Sequence, residues 1–261
     1  MQKDPWRLAL YRNSFLNNMT PYLSLLIPCY NSNGILKKQL PELIRFLGNQ
    51  SISYEIIIVD DGSKDGSELE SIAQEYGCNY LSNPKNMGKG ASVRNGVKHS
   101  RGQFIIFTDS DIPFEYDAIN SILKYLDVKE FDLAVGDRTL ETSRYFDDIP
   151  FRRKMGSNIF TFFVGRFVTT GMNDTQCGIK GFRKEIAEDI FGVSRINGFA
   201  FDVETIYISL KRNYDIKRIP VKLRNQEGTS VSLLKHTLPM ILDLLLIKWN
   251  HVRGYYNKKG A

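Results

Sequence analysis

Short apolar runs that end on turns or acidic clusters, separated by longer stretches with helical spacing, constrain this chain more than any other feature. Ile56 to Val59 leads into Asp60-Asp61-Gly62-Ser63, and Phe104 to Thr108 leads into Asp109-Ser110-Asp111. Uninterrupted runs of this length read as strands buried on both faces, which belong to parallel sheets with helical crossovers. The pattern predicts strands at 22–28, 55–59, 79–81, 103–108 and 132–136. Helices are expected at 35–47, kinked or divided by Pro41, from an N-cap at Ser67 to about 76, at 90–100, and at about 115–126. Past Arg138 the pattern loosens into polar loops, an aromatic-rich helix near 159–168 and another near 203–212. The expected fold class is α/β, a mostly parallel sheet flanked by helices, with ligands at the carboxyl ends of the strands.

At 261 residues, 42% apolar and 25% charged, the chain fits one large globular domain or one domain with a small appendage. The formal charge of +6 suits anionic ligands such as nucleotide phosphates, phospholipid headgroups or nucleic acid. The basic residues Lys211, Arg212, Lys217, Arg218, Lys222 and Arg224 are spread through a helix and a strand without a nucleic-acid module, so no nucleic-acid partner is expected. Cys29, Cys78 and Cys177 lie far apart, which argues against a zinc cluster or disulfide framework and for a reducing cytoplasm. Residues 1–20 lack the apolar stretch of a signal peptide and read as an N-terminal extension. The main domain is expected at 21–232, followed by an amphipathic, basic segment at 233–261. Its apolar run at 238–247, broken by Asp243, falls short of the roughly 20 residues a bilayer crossing takes.

Asp109 and Asp111, alternate carboxylates just past an apolar strand, can turn toward one hard cation, Mg²⁺ or Mn²⁺. Such an ion could bridge a diphosphate and neutralise charge growing on it. Asp-x-Asp also occurs by chance in ordinary turns. Asp60 and Asp61 stand where a base or ribose could be hydrogen-bonded, or where a plain β-turn needs them. Asn86-Met87-Gly88-Lys89-Gly90-Ala91 opens a helix that carries Arg94; its backbone could approach phosphate, or could be packed against the sheet.

Leu26-Ile27-Pro28-Cys29-Tyr30-Asn31, Ile58-Val59-Asp60-Asp61-Gly62-Ser63, Asn86-Met87-Gly88-Lys89-Gly90 and Asp109-Ser110-Asp111 resemble, in order and spacing, the family 2 glycosyltransferases of GT-A fold. Gly136-Asp137-Arg138, Asp174-Thr175-Gln176-Cys177-Gly178-Ile179-Lys180-Gly181-Phe182 and Phe201-Asp202-Val203-Glu204 are similar to its polyprenyl-phosphate branch, in particular the dolichyl-phosphate glucosyltransferase type. The resemblance implies that Pro28, Tyr30 and Asp61 hold the nucleoside, with Asn31, Asp60, Lys89, Arg94 and Ser110 in the same nucleotide-sugar set. Asp109 and Asp111 would hold metal and diphosphate, and Arg138 would face the phosphates. Pro113 departs from relatives of the mannosyl type, many of which have glutamine after the acidic pair. Proline offers no side-chain ligand, so water or donor oxygens would complete the metal shell.

The reaction this implies is inverting transfer of a hexose from a nucleotide sugar, UDP-glucose ahead of GDP-mannose, to a polyprenyl phosphate. An ionised phosphate needs no general base; a saccharide hydroxyl, the rival acceptor, does. Asp202 is the base candidate in that case, or else an N-cap, and Glu204 reads as structural. Arg152 and Arg153 join Arg138 as candidates for the acceptor phosphate. Segments 152–168 and 233–249 mix apolar and aromatic residues with flanking cations, so peripheral contact with the cytoplasmic face of a membrane is expected. A metal-dependent phosphohydrolase and a non-catalytic glycan-binding module are the further alternatives.

Overall fold

The computed structural model describes residues 20–143, 172, 174–224 and 233–257. The first half alternates as expected: β1 (Leu23–Cys29), α1 (Asn33–Asn49), β2 (Tyr54–Asp60), α2 (Gly66–Glu75), β3 (Asn79–Ser82), α3 (Lys89–His99), β4 (Phe104–Thr108), α4 (Asp117–Leu123) and β5 (Leu133–Asp137). The second half contributes β6 (Ile179–Arg183), α5 (Lys184–Val193), α6 (Phe201–Lys211), β7 (Ile216–Pro220) and α7 (Leu233–Val252).

Four local expectations are corrected. Pro41 does not divide α1, which runs unbroken through it. Helix α2 starts at Gly66 with Asp65 in the cap position, so Ser67 lies inside the first turn. The helix expected to 126 is α-helical only to Leu123 and finishes as a π-helical turn, Lys124–Val128. The half read as loosening into loops holds β6 and α5. The β6 sequence Ile-Lys-Gly-Phe-Arg hides its strand character, because it carries two cations and a glycine in five residues. The helix expected near 159–168 lies outside the described residues.

Among the described residues the strands form one seven-stranded sheet in the order β3-β2-β1-β4-β6-β5-β7. Neighbours are parallel except around β6, which runs antiparallel to β4 and β5. Consequently β1, β2, β4 and β5 end on one edge of the sheet and β6 begins there, with Ile179 paired to Thr108. β3 and β7, parallel to β2 and β5, end there too, so the loops after six strands and the loop before β6 lie along that edge.

The period of two along each strand sorts side chains into two cores. Leu25, Ile27, Ile56 and Ile58 pack with the apolar faces of α1, α2 and α4. Leu26, Ile57, Val59, Ile105 and Phe107 pack with α3, α5 and α6. Leu244 and Ile247 of α7 and Tyr256 belong to this second core, so the segment that follows residue 232 is tied into the domain.

Candidate active site

Beyond β4 the chain reverses tightly, with the Ile112 N–H donating to the Asp109 carbonyl at 3.0 Å. Ile112 sits at φ +42, a left-handed conformation that a β-branched residue enters only under strain. This turn presents Asp109 and Asp111 together. The Lys89 ammonium, at the start of α3, lies 2.5 Å from Asp109 Oδ1. On the other side, the Gly178 backbone approaches so closely that a Cβ there would overlap Asp109 Oδ2. Burial and the neighbouring Asp109 charge push the Asp111 carboxyl up to about 6. Burial opposes the Lys89 charge, but Asp109, Asp202 and Asp111 outweigh it and carry that group up to about 12.

Lys180, which sequence reasoning did not single out, is fully buried in β6. Its ammonium donates to Asp202 Oδ1 at 2.5 Å and to the Cys177 carbonyl at 2.8 Å, and lies 5.5 Å from the Phe107 ring centre. A buried ammonium needs such partners because desolvation is otherwise costly. Asp202 is therefore not an N-cap. Ala200 occupies the cap position, and the Asp202 side chain turns inward to Lys180. Lys89 with Asp109 and Lys180 with Asp202 thus form neighbouring cation–carboxylate pairs at the acidic edge.

The glycine-rich turn is organised from within. Asp61 is buried, and its carboxylate accepts the Met87 N–H at 2.9 Å, the Gly88 N–H at 2.8 Å and the Asn83 amide at 2.8 Å. The Gly90 N–H donates to the Asn197 carbonyl at 2.7 Å. Gly88, at φ +99, and Gly90 both lie against the 196–197 backbone, where no Cβ would fit. Arg94 donates to the Ile196 carbonyl at 2.8 Å and to the Asn197 side chain. Arg94 and this turn are thus packed on the 196–197 loop in this structure.

Asp60 is likewise drawn inward, accepting from the Ser63 N–H and the Tyr80 hydroxyl, each at 2.9 Å. Asn31, at φ +50, accepts the Lys64 N–H at 3.0 Å and fastens the end of β1 to the turn after β2. Tyr30 is exposed beside it and Pro28 is half-buried. A polar cavity of about 460 Å³ opens here, lined by Asn31, Asn33, Gly34, Lys64, Asp65 and Glu68.

Past β5, Arg138 forms a two-pronged pair with Asp174, Nε to Oδ2 at 2.8 Å and Nη2 to Oδ1 at 2.7 Å. Burial alone would push the Asp174 carboxyl up, but the Arg138 hydrogen bonds and charge hold it below the usual range. Arg218 pairs with the fully buried Asp137 at 2.5 Å. Asp137 and Asp174 sat inside the quoted motifs, and nothing in their spacing announced these pairings. Arg152 and Arg153 lie outside the described residues.

Among the described residues no group of three or more His, Cys, Asp or Glu could cage a metal. Asp109 and Asp111 form instead a two-carboxylate donor set at an open edge. That suits a small hard cation which takes its other oxygens from water and substrate phosphates.

The model of glycosyl transferase family 2 matches residues 24–191. The chain belongs to that family and is a nucleotide-sugar-dependent glycosyltransferase. It is 31% identical to the dolichyl-phosphate beta-glucosyltransferase of Dictyostelium discoideum over 95% of this chain and 81% of that one. The Homo sapiens protein of the same name is 29% identical over 92% of this chain and 79% of its own. Among solved structures, glucosyl-3-phosphoglycerate synthase from Mycobacterium tuberculosis, in complex with Mn²⁺, UDP and phosphoglyceric acid, gives a TM-score of 0.67 at 16% identity, covering 87% of this chain and 78% of that chain. Mannosyl-3-phosphoglycerate synthase from Rubrobacter xylanophilus gives 0.61 at 15%, covering 99% and 80%. The shared architecture is the GT-A fold.

Proposed function

We propose that this enzyme transfers glucose from UDP-glucose to the phosphate of a polyprenyl phosphate at the cytoplasmic face of a membrane. The observation that carries the reading is similarity, over most of the chain, to a series of relatives that share one named activity, dolichyl-phosphate beta-glucosyl transfer. UDP as the carrier is supported by the mycobacterial neighbour, which was crystallised with UDP-glucose and Mn²⁺. Three free thiols suit the reducing side.

Pro28 and Tyr30 are assigned to the nucleoside, at the end of β1. Asp109 and Asp111 would hold Mg²⁺ or Mn²⁺, which supplies charge neutralisation for the departing diphosphate. Lys89, fixed against Asp109, adds a cation at the same place without metal chemistry. An acceptor phosphate oxygen forms its bond to the anomeric carbon as the bond from that carbon to the diphosphate oxygen breaks. The electron pair leaves with UDP, and backside attack inverts an α-linked donor to a β-linked product. Arg138, its plane fixed by Asp174, is assigned to the acceptor phosphate, with Arg152 and Arg153 beside it on sequence alone.

This displacement needs no proton acceptor, because the attacking phosphate is already ionised. The placement of Asp202 agrees: its carboxylate is buried and accepts the Lys180 ammonium at 2.5 Å, so it does not stand free to meet a saccharide hydroxyl. Purified protein supplied with Mn²⁺, polyprenyl phosphate and labelled UDP-glucose, UDP-galactose or GDP-mannose tests the reading. Label from UDP-glucose should enter the organic phase and fall by about 10²-fold or more in Asp111→Asn. Lipid label from GDP-mannose alone would overturn the donor assignment.

A further inference from the structure

Helix α7 is apolar on both sides. Leu244, Ile247 and Asn250 are buried against the domain, while Ile241, Leu242, Leu245, Leu246, Trp249 and Val252 are 43–78% exposed. At 3.6 residues per turn the exposed six fall within an arc of about 140°, opposite the buried three. An ordinary surface helix turns charge outward, so this stripe calls for a partner. Its edges are cationic. The Lys248 and Lys211 ammonium groups share the Tyr207 ring, at 4.8 and 5.7 Å, and burial with the Lys211 charge lowers the Lys248 pKa. The Arg253 guanidinium lies 4.9 Å from the Trp249 ring.

No described helix is long and apolar enough to cross a bilayer. An apolar stripe with an aromatic residue and bordering cations suits a helix lying in the plane of an anionic membrane surface. The helix also adjoins the catalytic edge: a Cβ on Gly198 would lie 3.3 Å from Asp243 Oδ2. The loop bearing Gly198 also carries exposed Phe199 and packs, through Ile196 and Asn197, on the glycines that flank Lys89.

We propose that the outward face of α7 docks on a bilayer carrying anionic headgroups, with Leu242, Leu245, Leu246 and Trp249 at the acyl boundary and Lys211, Lys248 and Arg253 at the phosphates. This names the docking surface for the lipid acceptor proposed above and rests on that reading. A second copy of the chain could cover the same stripe, but it would bring Lys211, Lys248 and Arg253 of its own, whereas anionic headgroups relieve their repulsion.

The chain has two tryptophans, so the full-length Trp6→Phe protein leaves Trp249 as its reporter. Vesicles of phosphatidylcholine with one-quarter phosphatidylglycerol, without donor or polyprenyl phosphate, should shift Trp249 emission to the blue. Brominated acyl chains should quench it, and binding should weaken in high salt. Leu245→Glu with Leu246→Glu should keep the melting temperature and lower vesicle partition by roughly 100-fold. Unshifted, unquenched emission would overturn the proposal. So would a dimer in sedimentation that shields Trp249 without lipid. Transfer to detergent-dispersed polyprenyl phosphate scores the reaction separately, so intact transfer without docking sinks this inference alone.

Discussion

Lys180 is fully buried in the middle of the sheet, and its charge is tolerable because Asp202 and the Cys177 carbonyl meet it. Removing one member of such a pair leaves the other charged, desolvated and alone, at a cost of about 3–5 kcal/mol. Lys180→Met should therefore lower unfolding stability by that order in denaturant titration. Lys180→Met combined with Asp202→Leu should recover a large part of it, and no recovery would mean the two do not act as a pair. Asp174 makes a prediction in pH. Its folded carboxyl is depressed, so the stability it contributes is present above the unfolded value near ~3.9 and lost as pH falls through the folded one. Wild type should lose its advantage over Asp174→Asn on acidification below about pH 4. Parallel midpoint curves for the two proteins down to pH 2 would rule the pair out as a source of stability.

Between elements, the contact of α3 with the 194–200 loop is made through glycine. A methyl group on Gly90 would collide with the Ile196 carbonyl and the Phe201 side chain. Gly90→Ala should cost about 1–3 kcal/mol in thermal or denaturant unfolding, despite the gain in helix propensity. An unchanged or raised melting temperature would show that the loop gives way freely. Legibility follows the same division. Strands β1, β2 and β4 are continuous apolar runs and could be read to within a residue or two, as could the acidic turns that close them. β6 could not, since Lys180 is apolar in placement but not in type. The roles of Asp61 and Arg94 were equally hidden: the donors that satisfy Asp61 are the Asn83 amide and backbone N–H groups 26 and 27 residues away, and Arg94 reaches a loop about a hundred residues on. Sequence spacing places residues at the right edge of the sheet; it does not say which of them spend their hydrogen bonds on one another.

For the whole molecule, an anionic donor and an anionic acceptor have to be brought together, and the positive formal charge of +6 favours both. At the carboxyl edge of the sheet the structure gathers Asp109, Asp111 and Lys89, with Arg138 paired to Asp174 and Lys180 to Asp202. That set suits departure of a diphosphate, and Asp202 is buried and spent on Lys180, so a phosphate nucleophile is the central claim. Its most direct measurement sets polyprenyl phosphate, the corresponding polyprenol and a soluble oligosaccharide side by side with UDP-glucose and Mn²⁺, and reads each product by mass. The account predicts one hexose added to polyprenyl phosphate and nothing added to either hydroxyl acceptor. A hexose on the oligosaccharide or the free polyprenol, with polyprenyl phosphate unchanged, would contradict it.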